Sequence, residues 1–301
     1  MSSTPMIEQT AGKGAARYAR RKLGMVSGTR RAGWVTYVIL TAVLLISVYP
    51  LYYAIQLASS DAATIARNPI PPLLPQGNLF ANIDRVLNSD INFWRAFWNS
   101  VIVSSVTAIF LVIFSTLAGY AFAKLRFKGR GPLLIFVIAT MAVPMQLGIV
   151  PLFIVMSRLG LTGNLAAVII PNIVTAFGVF WMTQYLSQAL PYELIEAARM
   201  DGCSMIKTFL HVALPAAMPA ASMLALFTFV AQWTNFFWPF IVLDASNPTL
   251  PVALQLLQAS YFKDYSLIMA GVVISTLPLI LVFIITGRRL VAGVMEGAVK
   301  G

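Results

Sequence analysis

The sequence predicts an all-α integral membrane protein with six transmembrane helices and both termini in the cytoplasm. Its 301 residues are 59% hydrophobic and only 10% charged, whereas soluble chains carry about a quarter charged residues. Uncharged runs of about 18 residues or more recur along the chain, and runs of that length are candidate membrane spans. Lys and Arg concentrate in alternate segments between these runs, which sets their orientation in the membrane.

The amino-terminal residues 1–33 are predicted to form a basic cytoplasmic tail, and residues 34–301 to form the six-span domain. The tail contains seven Lys and Arg residues, and it has no apolar core followed by a small-residue cleavage site. A removable signal peptide is therefore not expected. The first span would instead direct the chain to the membrane.

The predicted spans follow six uncharged runs, at residues 34–54, 97–122, 132–155, 165–185, 219–243 and 265–287. With the amino terminus inside, 16 of the 21 Lys and Arg residues face the cytoplasm and five face the exterior. This bias agrees with the positive-inside rule. It also places the short polar segment 191–215 in the cytoplasm.

Two stretches are assigned to the exterior. The longest loop, 59–95, has four prolines within seven residues, and we expect it to be ordered at the membrane surface. The run 245–262 is uncharged but contains Asn247, two prolines and two glutamines. We expect an exterior loop with a short interfacial helix there, because a seventh span would put Arg288 and Arg289 outside.

The cytoplasmic segment 191–215 is predicted to form a helix, a glycine turn and a second helix. Pro191 suits a first helical turn, where its missing N–H costs nothing, and the helix would continue through Ala198. Gly202 can adopt the left-handed conformation that ends a helix. Ser204 can cap the helix that follows.

The second helix of this segment is predicted to be short. Met205, Phe209 and Val212 are spaced at i, i+4 and i+7, so they would form one apolar face. The helix is expected to stop at Leu214-Pro215, because a proline disfavours helical conformation in the residue before it. An amphipathic loop that only caps the helix bundle is the alternative interpretation of the whole segment.

The same segment resembles the EAA signature of ABC importer permeases, in which E-A-A, three residues, G and nine residues precede I-x-L-P. The matching part of this chain has valine, Val212, in the isoleucine place. The resemblance implies a cytoplasmic coupling helix that seats in a groove of a separate ATPase subunit, with the glutamate paired to a basic group there. The residues assigned to ATPase coupling are Glu196, Ala197, Ala198, Asp201, Gly202, Leu214 and Pro215.

Other stretches resemble the carbohydrate (maltose-type) branch of these permeases, the inner membrane components of binding-protein-dependent transport systems. Residues 141–153 are similar to its third span and residues 232–239 to its fifth. One departure is Ser60-Asp61, which stands where a lysine would be expected. Besides the lipid bilayer, the resemblance implies three partners: a second permease subunit in a heterodimer, a dimer of cytoplasmic ABC ATPases that use ATP and Mg, and an extracytoplasmic sugar-binding protein. It also implies a bacterial or archaeal cytoplasmic membrane.

Polar side chains in the fifth span mark a candidate substrate path. Lipid cannot satisfy such groups, so they must face a cavity or another helix. Gln232 and Asn235 would share a helical stripe with Pro239, beside the ring of Phe236. Trp238 is assigned to the aromatic belt at the membrane surface. Packing between helices is the alternative role for the two amides.

Gln146 and Asn172 are the remaining candidates for the substrate path. Each follows a proline, Pro144 or Pro171, in the middle of a predicted span. Proline inside a span frees backbone carbonyls, and transporters often place such breaks where the substrate passes. A simple kink is the alternative, particularly at Pro171.

Several classes of function are disfavoured by what the sequence lacks. It has no G-x-x-x-x-G-K-[ST] nucleotide-binding loop, and its predicted spans have no ionisable residue apart from His211 at a margin, so proton coupling is not expected. With only Cys203 and His211 available, we expect no metal and no cofactor in this chain. The basic charge lies in the tail and loops, so we expect no nucleic acid partner.

The sequence therefore predicts a permease subunit that imports a carbohydrate and performs no covalent chemistry. A sugar phosphate, a polyol or a peptide as the solute is the first alternative. A stand-alone channel or carrier is the second, and a membrane enzyme is the third.

Overall fold

The structure, a computed structural model, describes residues 33–67, 70, 72–258 and 263–298, with side chains up to Gly287. The predicted basic tail lies outside the described residues except for Gly33, as do Pro69, Pro71 and Lys300. All regular secondary structure in the described residues is helical, and they contain no strand. It divides into two units, Met1–Tyr52 and Tyr53–Gly301, and the packing described below lies within the second.

The helices are numbered here in chain order. They are α1 (Trp34–Ala58), α2 (Ala62–Arg67), α3 (Leu79–Leu87), α4 (Phe93–Lys124), α5 (Arg130–Thr140), α6 (Ile149–Arg158), α7 (Ala166–Ile169), α8 (Ala176–Ala189), α9 (Tyr192–Met200), α10 (Met205–Trp233), α11 (Phe237–Val242), α12 (Leu250–Gln258) and α13 (Tyr265–Ala298). Short 3₁₀ segments, Met145–Gly148 and Ile170–Asn172, precede α6 and follow α7.

Four of these helices are long and apolar enough to cross a membrane: α1, α4, α10 and the first 23 residues of α13. Two further candidates are pairs of helices joined at a bend. The pair Arg130–Thr140 and Met145–Arg158 bends by 89°, and the pair Ala166–Asn172 and Ala176–Ala189 bends by 40°. The described chain thus has between four and six candidate spans, and each predicted span overlaps one of them, although the predicted span 219–243 begins later than Met205–Trp233 and extends past its end.

Helices α4, α8 and α10 pack together around one apolar cluster. Small residues allow the close approach of α4 and α8, as is common between membrane helices. A Cβ added at Gly119 would lie 2.6 Å from the Met182 Cβ and 2.9 Å from the Thr183 nitrogen. About one turn away on each helix, Gly178 of α8 faces the Ser115 hydroxyl of α4. These two glycines therefore set the spacing of the two helices.

A second cluster joins α3, α12, the first part of α13 and Trp233 at the end of α10. Residues 250–258 form the short helix predicted there, but most of its apolar side chains are buried in this cluster. Leu250, Leu254 and Leu257 recur every three to four residues, so one face of α12 packs against protein. The short helix is confirmed, and its position at the membrane interface stays a prediction.

An ion pair ties α3 to the beginning of α13. The Arg85 Nη2 donates to the Asp264 Oδ2 at 2.8 Å. Burial alone would raise the pKa of the Asp264 carboxyl, but hydrogen bonds from Ser266, Arg85 and the Leu267 amide hold that pKa below its usual value. The carboxylate therefore stays ionised at neutral pH and fixes the first turn of α13.

Candidate functional site

Helix α9 contains the Glu-Ala-Ala sequence of the EAA signature. It begins at Tyr192, and Pro191 precedes it with an extended backbone (φ −60°, ψ 147°) instead of occupying its first turn. Ile195 and Ala198 are buried against the bundle, whereas Glu196 and Ala197 are exposed. The helix thus attaches by one face and presents the other to solvent.

The turn after α9 is a Schellman motif, the C-terminal cap in which a left-handed residue lets two amides bond back to the last turn. Gly202 has φ +78°, as predicted. Its amide donates to the Arg199 carbonyl, and the Cys203 amide donates to the Ala198 carbonyl, both at 3.0 Å. A Cβ at Gly202 would meet nothing within 4 Å, so the turn projects into open space.

Helix α10 begins at Met205, capped as predicted by Ser204, whose hydroxyl accepts from the Lys207 amide at 3.3 Å. The predicted stop at Leu214-Pro215 is wrong, because the helix continues to Trp233. A π-helical turn at Phe209–Ala213 comes directly before this pair. Such widened turns absorb the missing N–H and the bulk of a proline ring in membrane helices. The second helix of the element is therefore the start of a candidate span.

Several apolar side chains of this element are exposed, as Glu196 is. Met200 is 87% exposed and Ile206 is 72% exposed, and Leu194 and Leu210 are about half exposed. Exposed apolar groups that are close together are typical of a protein interaction surface. Of the other residues assigned to coupling, Asp201 and Pro215 are exposed, Leu214 is half-buried, and Ala198 faces the bundle.

Tyr192 and Lys124 hold α9 to the end of α4, and Arg130 of α5 binds the same end. The Tyr192 hydroxyl donates to the Ala123 carbonyl at 3.3 Å. The Lys124 ammonium lies 4.7 Å from the centre of the Tyr192 ring, and Arg130 donates to the carbonyls of Ala123 and Leu125. From the sequence, Lys124 and Arg130 are predicted only to help set topology.

The candidate substrate path lies where α10 ends. Helix α10 stops at Trp233, and α11 begins only at Phe237, so the predicted continuous stripe from Gln232 to Pro239 is wrong. The backbone turns at Thr234–Phe236. Pro239 has no N–H to donate to the carbonyl four residues before it, so helical hydrogen bonding does not continue across this turn. The two amides nonetheless stay adjacent, with the Asn235 Nδ2 at 3.5 Å from the Gln232 Oε1.

The aromatic residues next to this break have different surroundings. Phe236 stacks on Phe240 with ring centres 5.0 Å apart, and Phe236 is half-buried. Trp238 is only 7% exposed, and its indole N–H donates to the Ala167 carbonyl at 3.0 Å. The assignment of Trp238 to the aromatic belt is therefore wrong, because its polar atom is satisfied inside the protein by α7.

Gln146 and Asn172 lie at the two bends. Gln146 is exposed in the 3₁₀ turn that follows Pro144, at the 89° corner. Asn172 is buried, and its amide donates to the Val168 carbonyl at 2.8 Å. Within the described residues no hydrogen bond links either side chain to the Gln232–Asn235 pair. The same part of the chain contains no group of three His, Cys, Asp or Glu side chains that could hold a metal ion.

Comparisons with known proteins give one consistent result. Residues 115–294 match the model of the family described as binding-protein-dependent transport system inner membrane component. The arabinooligosaccharides transport system permease protein AraQ of Halalkalibacterium halodurans is 33% identical over 270 residues, which are 89% of this chain and 96% of that protein. The lactose transport system permease protein LacG of Rhizobium radiobacter is 30% identical over 267 residues, 88% of this chain and 96% of that protein.

A solved structure supports the same fold. It is the crystal structure of a bacterial ABC transporter involved in the import of the acidic polysaccharide alginate. One of its chains superposes with a TM-score of 0.72 at 23% identity, covering 95% of this chain and 99% of that one. The agreement therefore extends over the bent helix pairs as well as the continuous spans.

Proposed function

The chain belongs to the family of binding-protein-dependent transport system inner membrane components, the permease subunits of ABC importers, and we propose that it moves a carbohydrate into the cytoplasm. The relatives named for arabinooligosaccharides and for lactose support a carbohydrate as the solute. The observation that carries the proposal is the element formed by α9, the Gly202 turn and the beginning of α10. It presents Glu196 and Ala197 on an exposed surface, buries Ala198 against the bundle, and continues into a candidate span.

We propose that this element couples ATP hydrolysis to transport. The exposed side of α9, with Glu196 and its apolar neighbours, seats on a cytoplasmic ATPase subunit, which binds the ATP and Mg. Because α10 runs from Met205 to Trp233 as one helix, a displacement of the turn at Gly202 displaces the far end of that helix. The far end carries Gln232 and lies beside the break at Thr234–Phe236. ATPase closure would thereby alter the substrate path.

The residues at the break suit a neutral sugar. The amides of Gln232 and Asn235 offer both donors and acceptors to hydroxyl groups. Their mutual distance of 3.5 Å marks a weak hydrogen bond, which a sugar hydroxyl can replace at little cost. The half-buried ring of Phe236 supplies an apolar surface for the C–H face of a sugar. Gln146 and Asn172, at the bends of their own helix pairs, are proposed to line the same path.

We propose that six spans cross a bacterial or archaeal cytoplasmic membrane, with both termini in the cytoplasm. The two bent pairs then count as one span each. The permease would work as a heterodimer with a second permease, on a pair of ABC ATPases, and would receive the sugar from an extracytoplasmic binding protein. The Lys and Arg bias between the segments supports this orientation.

Purification of the tagged chain from its native membrane tests the proposal. We expect an ATPase and a second permease to purify with it, and we expect the associated binding protein to take up an oligosaccharide or a disaccharide. A binding protein that takes up only a sugar phosphate, a polyol or a peptide would contradict the carbohydrate assignment. A chain that purifies alone and transports without ATP would contradict the subunit assignment.

A further inference from the structure

We propose that Lys124 is a positioning residue for coupling, which clamps the first turn of α9 to the ends of α4 and α8. The inference rests on the proposed role of α9 as the ATPase-facing helix. Lys124 would make α9 move together with α4 and α8. Movement of the ATPase would then displace α4 and α8 as well as α10.

The surroundings of Lys124 are unusual for a lysine. Its side chain is only 6% exposed, and among the described side chains it is the one charged group that is buried. The described residues contain a single ion pair, between Arg85 and Asp264, so no described carboxylate lies within 4.0 Å of this ammonium. A buried ammonium without a counter-ion is costly, so the groups that do surround Lys124 must stabilise it.

Two features supply that stabilisation. The Lys124 Nζ donates to the Ser187 carbonyl at 3.1 Å, near the C-terminal end of α8, where the helix dipole favours a cation. In a continuing helix that carbonyl would accept from the amide four residues later, but that residue is Pro191, which has no N–H. The Lys124 ammonium therefore donates to the Ser187 carbonyl the hydrogen bond that Pro191 cannot donate. The face of the Tyr192 ring, 4.7 Å away, provides a cation–π interaction.

Tyr192 links the clamp to α9, because it is the first residue of that helix. Its ring faces Lys124, and its hydroxyl donates to the Ala123 carbonyl at 3.3 Å. The Arg130 Nη2 donates to the same carbonyl at 3.3 Å. One tyrosine thus contacts two consecutive residues at the end of α4. One turn later Ile195 is buried in the cluster that also contains Leu190.

The clamp changes how a force on α9 would be transmitted. At its C-terminal end α9 connects to α10 through the Gly202 turn. Without a fixed N-terminal end, α9 could rotate about Pro191 and Gly202 and absorb the displacement. With Tyr192 held by Lys124, the displacement passes to α4 and α8 as well. Since α4 and α8 pack closely along Gly119 and Gly178, these two helices would move as one unit.

The test is ATP hydrolysis by the purified complete complex in lipid, measured with and without the loaded binding protein, together with the amount of complex assembled. For Lys124→Met, which keeps the length and packing of the side chain, we expect stimulation to fall about five- to tenfold, since one desolvated cation–π contact and one charged hydrogen bond are lost. Tyr192→Leu should have a similar effect. The double variant should be no worse than either single variant, because both remove the same contact.

Conservative variants separate a positioning role from simple stability. Lys124→Arg, which keeps the cation, and Tyr192→Phe, which keeps the ring, should retain at least half of the stimulation. Lys128→Met is the matched control, because Lys128 lies exposed on the loop that follows Lys124, and it should behave as wild type. If Lys124→Met lowers the amount of assembled complex, Tyr192→Leu is used instead. Tyr192 is partly exposed, so its replacement should disturb folding less.

Three outcomes would overturn the inference. One is normal stimulation in both Lys124→Met and Tyr192→Leu. Another is a loss of stimulation that is fully explained by less assembled complex in both variants. The third is additive losses in the double variant, which would mean that the two side chains act separately. These outcomes leave the proposed function intact as long as the binding protein still stimulates ATP hydrolysis by the wild-type complex. A wild-type complex that the binding protein does not stimulate would contradict the proposed function itself.

Discussion

At Gly202 the backbone adopts φ +78°, a conformation that disfavours any residue with a Cβ. A β-branched residue there should be strained by about 1–3 kcal/mol. The position has open space on every side in this chain, so Gly202→Val should still insert and assemble with its spans intact. Its side chain would project toward the proposed ATPase surface. We therefore expect the variant to lose most of the stimulation of ATP hydrolysis by the loaded binding protein.

Gly160→Val is the matched control for this prediction. Gly160 also has a positive φ, +67°, and open space around it, but it lies on the proposed exterior side. It should cost similar stability without uncoupling. Cys203→Ala should be close to silent, and Glu196→Ala should reduce the response less than Gly202→Val. Equal behaviour of the two valine variants would show that strain, not contact with the ATPase, causes the loss.

The amides at the end of α10 give a second prediction at the scale of single residues. Asn235→Ala and Gln232→Leu each remove a hydrogen bond to a neutral partner, which costs about 0.5–1.5 kcal/mol. We expect transport to fall several-fold to tenfold while the membrane level stays constant. Thr234→Val, at an exposed neighbour, should have little effect. Normal transport by both amide variants would assign these amides to packing.

Local chemistry made some of these residues predictable from the sequence and left others hidden. Gly202 and Ser204 follow from turn and capping preferences that act within a few residues. Lys124 was treated as a topology signal, because nothing near it in the sequence indicates that Tyr192 and Ser187 would surround it. Burial of a charge depends on contacts between distant segments, so sequence patterns alone do not reveal it. Trp238 was misassigned for the same reason.

At the scale of helices, the close packing of α4 against α8 depends on glycine. A Cβ at Gly119 would come within 2.6 Å of the Met182 Cβ and 2.8 Å of its carbonyl carbon, so the backbone of α8 would have to move. Overpacking of this kind typically costs about 1–3 kcal/mol. Gly119→Ala should therefore lower the melting temperature of the purified complex and its resistance to detergent.

Gly131→Ala provides the comparison within another helix. A Cβ at Gly131 would meet nothing within 4 Å, so the substitution should be neutral or stabilising by up to about 1 kcal/mol, the helix preference of alanine over glycine. If Gly119→Ala were as stable as Gly131→Ala, the α4–α8 contact would be looser than described. The melting temperatures of the two variants, measured in the same detergent, decide between these cases.

The elements show where sequence patterns lose precision. Hydropathy located each helix that can cross the membrane, because span length is imposed by the bilayer. It did not reveal that α10 begins at Met205, since the proline rule for Leu214-Pro215 ignores the π turn before it. The sequence pattern also predicts one continuous helix through Gln232, Asn235 and Pro239, where the structure has two helices, α10 and α11. Both errors come from assuming ideal α-helical geometry at prolines, where membrane helices adjust locally.

The orientation of the whole molecule can be tested with reporter fusions. A reporter active only outside the membrane should work when it is fused after Gln76 or Pro248. It should be silent after Gly129, Cys203 or Lys300. The expected pattern follows from the proposed orientation, which would place 16 of the 21 basic residues in the cytoplasm, as the positive-inside rule favours. An active fusion after Cys203 would put the proposed coupling element on the wrong side of the membrane.

The most direct test of the central claim is transport by the complete complex in sealed lipid vesicles. The complex would contain this chain, its second permease and the ATPase pair, with the binding protein and ATP supplied on opposite sides of the membrane. We predict that a labelled oligosaccharide or disaccharide accumulates only when the loaded binding protein and ATP are both present, and that Gly202→Val abolishes this accumulation. Accumulation that needs neither ATP nor the binding protein would contradict the account.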